Sequence, residues 1–143
     1  MAHRIDFESL FSLKGRIALI SGASSGLGEH FAQVLSGAGA HVVVAARRSD
    51  KLTSLVQMLR DQGGKADVIT MDVTSRESVR DAFETFDAQF SQLDILVNNA
   101  GIANPPLRFV DATEDDWAPV LDVNLTGAWR VAQAAARRMK QQR

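Results

Sequence analysis

Three observations predict an α/β fold built on a parallel sheet. Short apolar runs alternate with amphipathic stretches of helical period along the chain. The runs are rich in β-branched residues and show little polar–apolar alternation, the pattern of strands covered on both faces. The first run ends in glycines that open a helix, which makes a strand–turn–helix unit.

The first unit is residues 16–28, RIALISGASSGLG, with Gly22, Gly26 and Gly28 in its turn. Leu27, Phe31, Val34, Leu35 and Ala38 then recur at helical spacing and are expected to face inward, and Gly37 and Gly39 mark the end. Residues 42–46 read as a buried strand. Ser49 or Asp50 is placed to cap a second helix with Leu52, Leu55, Val56 and Leu59 inward. Gly63 and Gly64 close it before an extended run at 66–71.

Thr74 and Glu77 have capping-box spacing, and Val79, Phe83, Phe86 and Phe90 form the inward stripe of a third helix. It leads to a fourth strand at 93–97, followed by a loop over 98–106. Thr113 and Asp116 suggest a second box, opening one long helix from about 114 to about 140. Its expected apolar face carries Trp117, Leu121, Leu125, Ala128, Val131 and Ala135. Strands joined by right-handed crossovers place every strand C-terminus, and the glycine turn, along one edge of the sheet.

At 143 residues and 45% apolar content the chain is expected to form one domain, 1–143, with an N-terminal extension over about 1–14. A net charge of −1 provides no field for nucleic acid or an anionic membrane, so neither is an expected partner. There is no cysteine, which excludes disulfides, thiolate metal sites and a thiol nucleophile, and fits a cytoplasmic setting. His3, His30 and His41 lack metal-ligand spacing, and no metal is expected. No apolar run approaches the roughly 20 residues that cross a bilayer. Glu114, Asp115 and Asp116 read as a solvated first helical turn, and Trp117 and the phenylalanines as core or subunit interface.

A glycine turn between a strand and a helix leaves backbone N–H groups unpaired at the positive end of the helix, a seat for phosphate. Ser24 and Ser25 add hydroxyls within it. The bland reading is a turn that needs only positive φ. The turn ends Gly-Leu-Gly-Glu, without the Lys-Ser/Thr of a P-loop, and its first gap is wider than in G-x-G-x-x-G.

SGASSGLG together with Asn98-Asn99-Ala100-Gly101 resembles the T-G-x-x-x-G-x-G and N-N-A-G signatures of the short-chain dehydrogenase/reductase family. Asp72-Val73 and Val123-Asn124-Leu125 are similar to that family too, in the expected order, so the resemblance runs over essentially the whole chain. It implies a Rossmann-like, doubly wound parallel sheet of order 3-2-1-4, incomplete in its C-terminal half. It further implies that Gly22, Ser24, Ser25, Gly26, Leu27 and Gly28 surround the pyrophosphate and adenosine side of a nicotinamide dinucleotide. Asp72 and Val73 would then meet adenine, and Asn98, Ala100 and Gly101 would lie along the cofactor. Ser21 stands where the family usually has threonine; the hydroxyl is kept and binding is expected to survive.

The second strand ends Ala45-Ala46-Arg47-Arg48, with no carboxylate to accept from a ribose 2′-OH and two guanidiniums to attract a 2′-phosphate. NADP(H) is therefore favoured over NAD(H), against the alternative of an exposed basic loop partly neutralised by Asp50. Asn124 is the candidate catalytic residue, because the resemblance implies an asparagine that holds a relay water. The competing reading is an amide that satisfies backbone groups at a helix irregularity.

The resemblance implies reduction of a small-molecule carbonyl, or oxidation of an alcohol, with a Tyr-x-x-x-Lys pair and a serine. The chain has no tyrosine. It is therefore expected to be the amino-terminal part of a longer homo-oligomeric enzyme, inactive alone, with its fourth strand left as an edge. The competing reading is a non-catalytic dinucleotide-binding chain, a sensor or a subunit.

Overall fold

A computed structural model describes residues 10–142. The elements are β1 (Ile17–Ser21), α1 (Gly26–Gly37), β2 (His41–Ala46), α2 (Ser49–Asp61), β3 (Lys65–Thr70), α3 (Arg76–Gln89) and β4 (Ile95–Asn98). A 3₁₀ turn (Phe109–Asp111), α4 (Glu114–Leu121), a π-helical segment (Asp122–Gly127) and α5 (Ala128–Gln141) follow. The sheet is parallel, in the order β3-β2-β1-β4, as expected.

Strand alternation divides the core into two layers. Ala18, Ile20, Val42 and Val44 point to one face, where Ala32 of α1 and Leu52, Leu55, Val56 and Leu59 of α2 cover them. Leu19, Val43, Ala45 and Ile69 point to the other, under Val79, Phe83 and Phe86 of α3 and Val131 and Ala135 of α5. β2 is buried along nearly its whole length because it has a neighbour on each side and helices on both faces. Among the described residues β4 pairs with β1 alone, and it is half-buried.

Several local expectations shift. In α1 the buried residues are Gly28 and Ala32, whereas Leu27 is 68% exposed and Phe31 and Val34 also face outward. The reason is distance: the start of α1 comes so close to the preceding turn that only small residues fit against it, which turns the large ones away. Arg48, not Ser49 or Asp50, is the N-cap of α2, and its side chain makes no cap bond. α3 is capped by Ser75, whose hydroxyl accepts from the Ser78 N–H at 3.1 Å, because the Thr74 hydroxyl is already engaged with Asp72.

The Thr113–Asp116 box forms as expected, the Asp116 carboxylate accepting from the Thr113 N–H at 3.0 Å. The long helix does not run straight, since the wider π turn at Asp122–Gly127 interrupts it and shifts the phase of its stripe. Val131 and Ala135 are buried, but Leu125 of the π segment is exposed, and so is Trp117 of α4, which packs mainly on the π segment that follows it. Among the described residues no helix is long and apolar enough to cross a membrane. Most of the expected N-terminal extension, with His3, lies outside the described residues, but Leu13 packs on the core and its N–H donates to Ala38 O.

The strand N-terminal edge is held by charges. Asp94 accepts from the Ile17 N–H (2.8 Å), Arg16 (2.9 Å) and Gln92 (2.9 Å). Asp67 receives Arg60 at 2.7 Å and pairs with His41 Nε2 at 2.6 Å, and the Phe90 ring stands edge-on to His41. Burial pushes the Asp94 carboxyl up, but the Ile17 N–H, Arg16 and Gln92 outweigh it and hold it below the usual carboxylate range. A depressed folded-state carboxyl contributes stability above its unfolded value, near 3.9, and that contribution is lost as pH falls through the folded value. Stability measured by urea denaturation should therefore fall below about pH 4, and Asp94→Asn should flatten that fall; an unchanged slope would remove the assignment.

Candidate functional site

The parallel register brings Ser21 level with Ala45 and Asn98, and Ala46 level with Thr70. The segments that follow these strand ends meet in one cleft of about 390 Å³. Of the residues singled out from the sequence, Gly22, Ser24, Ser25, Leu27, Arg47, Arg48, Asp72, Val73, Ala100 and Gly101 line it. Gly26, Gly28, Asn98 and Asn124 are not among the lining residues. Ala46, Met71, Thr74, Asn99, Ile102 and Val123 line it without having been singled out.

The glycines do different jobs. Gly22 has φ +68°, and a Cβ there would come within 2.7 Å of Ala100 Cα. At Gly28 a Cβ would strike the Gly22 carbonyl oxygen, so this glycine is needed for packing of the helix against the turn. Gly26 has φ +61° but faces open space. Ser25, at the N-cap of α1, is extended and its side chain makes no cap bond, so among the described residues no N-cap side chain satisfies the first-turn N–H groups of α1.

A serine and two asparagines join the turn to the end of β4. The Ser21 hydroxyl, 0% exposed, accepts from the N–H groups of Asn99 (3.0 Å) and Ala100 (3.1 Å) and donates to Asn98 Oδ1 (3.2 Å). Asn99 Nδ2 donates to the carbonyls of Ser21 (3.3 Å) and Gly22 (3.2 Å). Asn98 Nδ2 donates to Ala128 O at 2.7 Å. The Asn98 amide is thus engaged on both sides by protein, and Asn99 takes the place at the cleft.

Asp72 forms the opposite wall. Its Oδ1 accepts from the Thr74 N–H (2.9 Å) and hydroxyl (2.7 Å), and its own N–H donates to Ser78 Oγ (2.9 Å). Burial raises the Asp72 carboxyl, and the two Thr74 donors with the Arg47 charge overcome this and hold it below its ordinary range. The sequence reading takes Thr74 only as a helix cap; an aspartate two residues before a threonine is the Asx-turn signal that could have placed it here. Arg47 and Arg48 are exposed at the rim, and Arg48 Nη2 reaches Ser24 Oγ at 3.4 Å.

Asn124 lies within the π segment, and both ends of its amide bind the Ile102 backbone. Oδ1 accepts from the Ile102 N–H (2.8 Å) and Nδ2 donates to the Ile102 carbonyl (2.9 Å). This is the backbone-satisfying arrangement of the two readings of Asn124, and it explains why Ile102 is held at the cleft. A Cβ on Gly101 would come within 3.3 Å of the same Oδ1.

The family model described as short chain dehydrogenase matches residues 16–143. The chain belongs to the short-chain dehydrogenase family. Among its relatives in this family is the 3-oxoacyl-(acyl-carrier-protein) reductase FabG of Thermotoga maritima, 35% identical over 131 residues that cover 92% of this chain and 53% of that protein. A gluconate 5-dehydrogenase from Burkholderia cenocepacia J2315, solved in complex with NADP and tartrate, is 39% identical with a TM-score of 0.89, over 96% of this chain and 53% of that one. An NAD+-bound xylitol dehydrogenase is 31% identical with a TM-score of 0.86, over 90% of this chain and 50% of that one. The chain spans about half the length of these short-chain dehydrogenase relatives.

Proposed function

We propose that the cleft binds NADP(H) and that the chain is the dinucleotide-binding part of an oxidoreductase that interconverts a small-molecule carbonyl and its alcohol. The observation that carries this reading is the convergence, on one cleft, of the uncapped N-terminus of α1 with Arg47, Arg48 and the Asp72–Val73 wall. The residues fit the group. The α1 N–H groups and the Ser24 hydroxyl are donors for pyrophosphate oxygens, the open space at Gly26 admits them, and Asp72 and Val73 offer an adenine wall. The lack of a carboxylate at the end of β2, with two guanidiniums in its place, favours a 2′-phosphate. When bound, the nicotinamide supplies or accepts the hydride.

The chain's own residues bind and orient. Asn98, Ser21 and Asn99 hold the turn against β4, and Asn124 holds Ile102 beside Gly101. The Asn124 relay role stays part of the proposal, and a relay water there has to compete with Ile102 for the amide. The absence of tyrosine favours a second reading, in which this chain by itself binds the dinucleotide without catalysis, as a sensor or a subunit. The exposed row Trp117, Leu125 and Trp129 along α4–α5 supports an interface between copies in a homo-oligomer, and a cytoplasmic location belongs to the same reading.

Calorimetric titration with NADPH and NADH tests the cofactor. Arg47→Asp should weaken NADPH by about tenfold or more, the size of a lost charge-assisted contact plus repulsion, and leave NADH nearly unchanged. Equal losses would overturn the 2′-phosphate assignment, and failure of both cofactors to bind the folded chain would overturn the site. Carbonyl reduction by this chain alone would overturn the non-catalytic reading.

A further inference from the structure

We propose that Arg130 is a positioning residue for the adenosine half of the dinucleotide, a strap from α5 that holds the Val73–Thr74 backbone where the cleft needs it. The inference rests on the dinucleotide reading of the cleft. Arg130 Nη1 donates to the carbonyls of Thr74 (2.8 Å) and Val73 (3.3 Å) and reaches Asp122 Oδ1 of the π segment at 3.3 Å. Its side chain is only 20% exposed, so these bonds are shielded from competing water.

A second contact joins the same two elements. A Cβ on Gly127 would come within 2.8 Å of Val73 Cγ2, so the end of the π segment already touches the Val73 side chain. The bonds between Asp72 and Thr74 shape their turn, and Ser78 ties it to α3. Neither sets its distance from the helix across the cleft. Arg130 does, since one guanidinium grips two consecutive carbonyls on the turn and a carboxylate on the π segment.

The strap therefore acts on Asp72 and Val73 without touching a ligand. Its removal should loosen the adenosine side and spare the nicotinamide side, which the same proposal assigns to Gly101 and to Ile102, the latter held by Asn124. A merely structural arginine would affect both halves alike or neither.

The test compares Arg130→Met and Arg130→Lys with the unaltered 143-residue chain. Arg130→Met should weaken ADP-ribose by about tenfold, as expected for loss of one charge-assisted bond network, with nicotinamide mononucleotide unchanged. Hydrogen exchange of the segment 71–78 should accelerate in the absence of any ligand. Arg130→Lys, a single point charge, should restore part of both effects. Equal losses for the two ligands, or unaltered exchange over 71–78, would overturn the strap. If ADP-ribose and NADPH both fail to bind the unaltered chain, the dinucleotide reading falls, and the positioning role with it, whereas faster exchange in the Met variant would still establish the contact itself. Should Arg130→Met not fold, Asp122→Asn weakens the strap from its other end and should show the same split between the halves at smaller size; no split would overturn the proposal.

Discussion

Gly28→Ala is expected to lower the unfolding free energy by about 3 kcal/mol, the scale of overpacking at a site that cannot relax, and to abolish NADPH binding. The added methyl would strike the Gly22 carbonyl oxygen and approach Asn99 Nδ2 at 2.6 Å and Ala23 Cα at 2.9 Å. Two of these are backbone atoms, so no side-chain rotation relieves the clash; α1 must move off the turn. Gly26→Ala is the control. Its Cβ meets nothing within 4 Å, and the cost is only that of holding an L-residue at φ +61°, about 1 kcal/mol. Urea denaturation of the two variants should separate them clearly, and equal costs would refute the packing account of Gly28.

Ser21→Ala is expected to cost about 1–3 kcal/mol, because it strips a hydrogen-bond partner from the Ala100 N–H and weakens two further bonds around it. The Ala100 N–H would lose its acceptor, the Asn99 N–H would keep only Val97 O at 3.1 Å, and Asn98 Oδ1 would lose its donor, all around a hydroxyl that is itself fully buried. The loss should spread from stability to binding, since the same hydroxyl sets the height of Ala100 against Gly22. Ser21→Thr keeps the hydroxyl and adds one methyl, so it should retain the fold and the ligand. Thermal denaturation with NADPH titration reads both outcomes; an alanine variant as stable as the threonine variant would show that the hydroxyl bonds matter little.

The strands were legible because buried parallel strands carry an undiluted apolar signal, as in Val42-Val43-Val44, whereas their order followed from the family resemblance. The glycine turn was legible because positive φ at Gly22 and Gly26 restricts the residue type. The inward face of α1 was not, because periodicity assumes that large residues seek the core, whereas Gly28 and Ala32 are inside so that the helix can approach closely. The π segment entered only as the competing reading of Asn124, because Trp117 through Ala135 satisfies a straight-helix spacing almost as well as an interrupted one. At the cleft, N-N-A-G marked the right segment but not which asparagine faces the cavity. That depends on the amide bonds of Asn98 to Ser21 and Ala128, which join residues far apart in sequence. Arg130 carried no local signal either, since its partners at 73, 74 and 122 are assembled only by the fold.

The two ends of the parallel sheet bear different duties. Asp94 with Arg16 and Gln92, and Asp67 with Arg60 and His41, brace the strand beginnings, while everything proposed to meet a ligand follows the strand ends. Each strand thus separates a bracing pole from a binding pole by its own length. Substitutions at distant, independent sites combine additively. A lineage, or a laboratory selection, can therefore retune cofactor choice at Arg47 and Arg48 and restore any stability lost by strengthening the far pole, with neither change constraining the other.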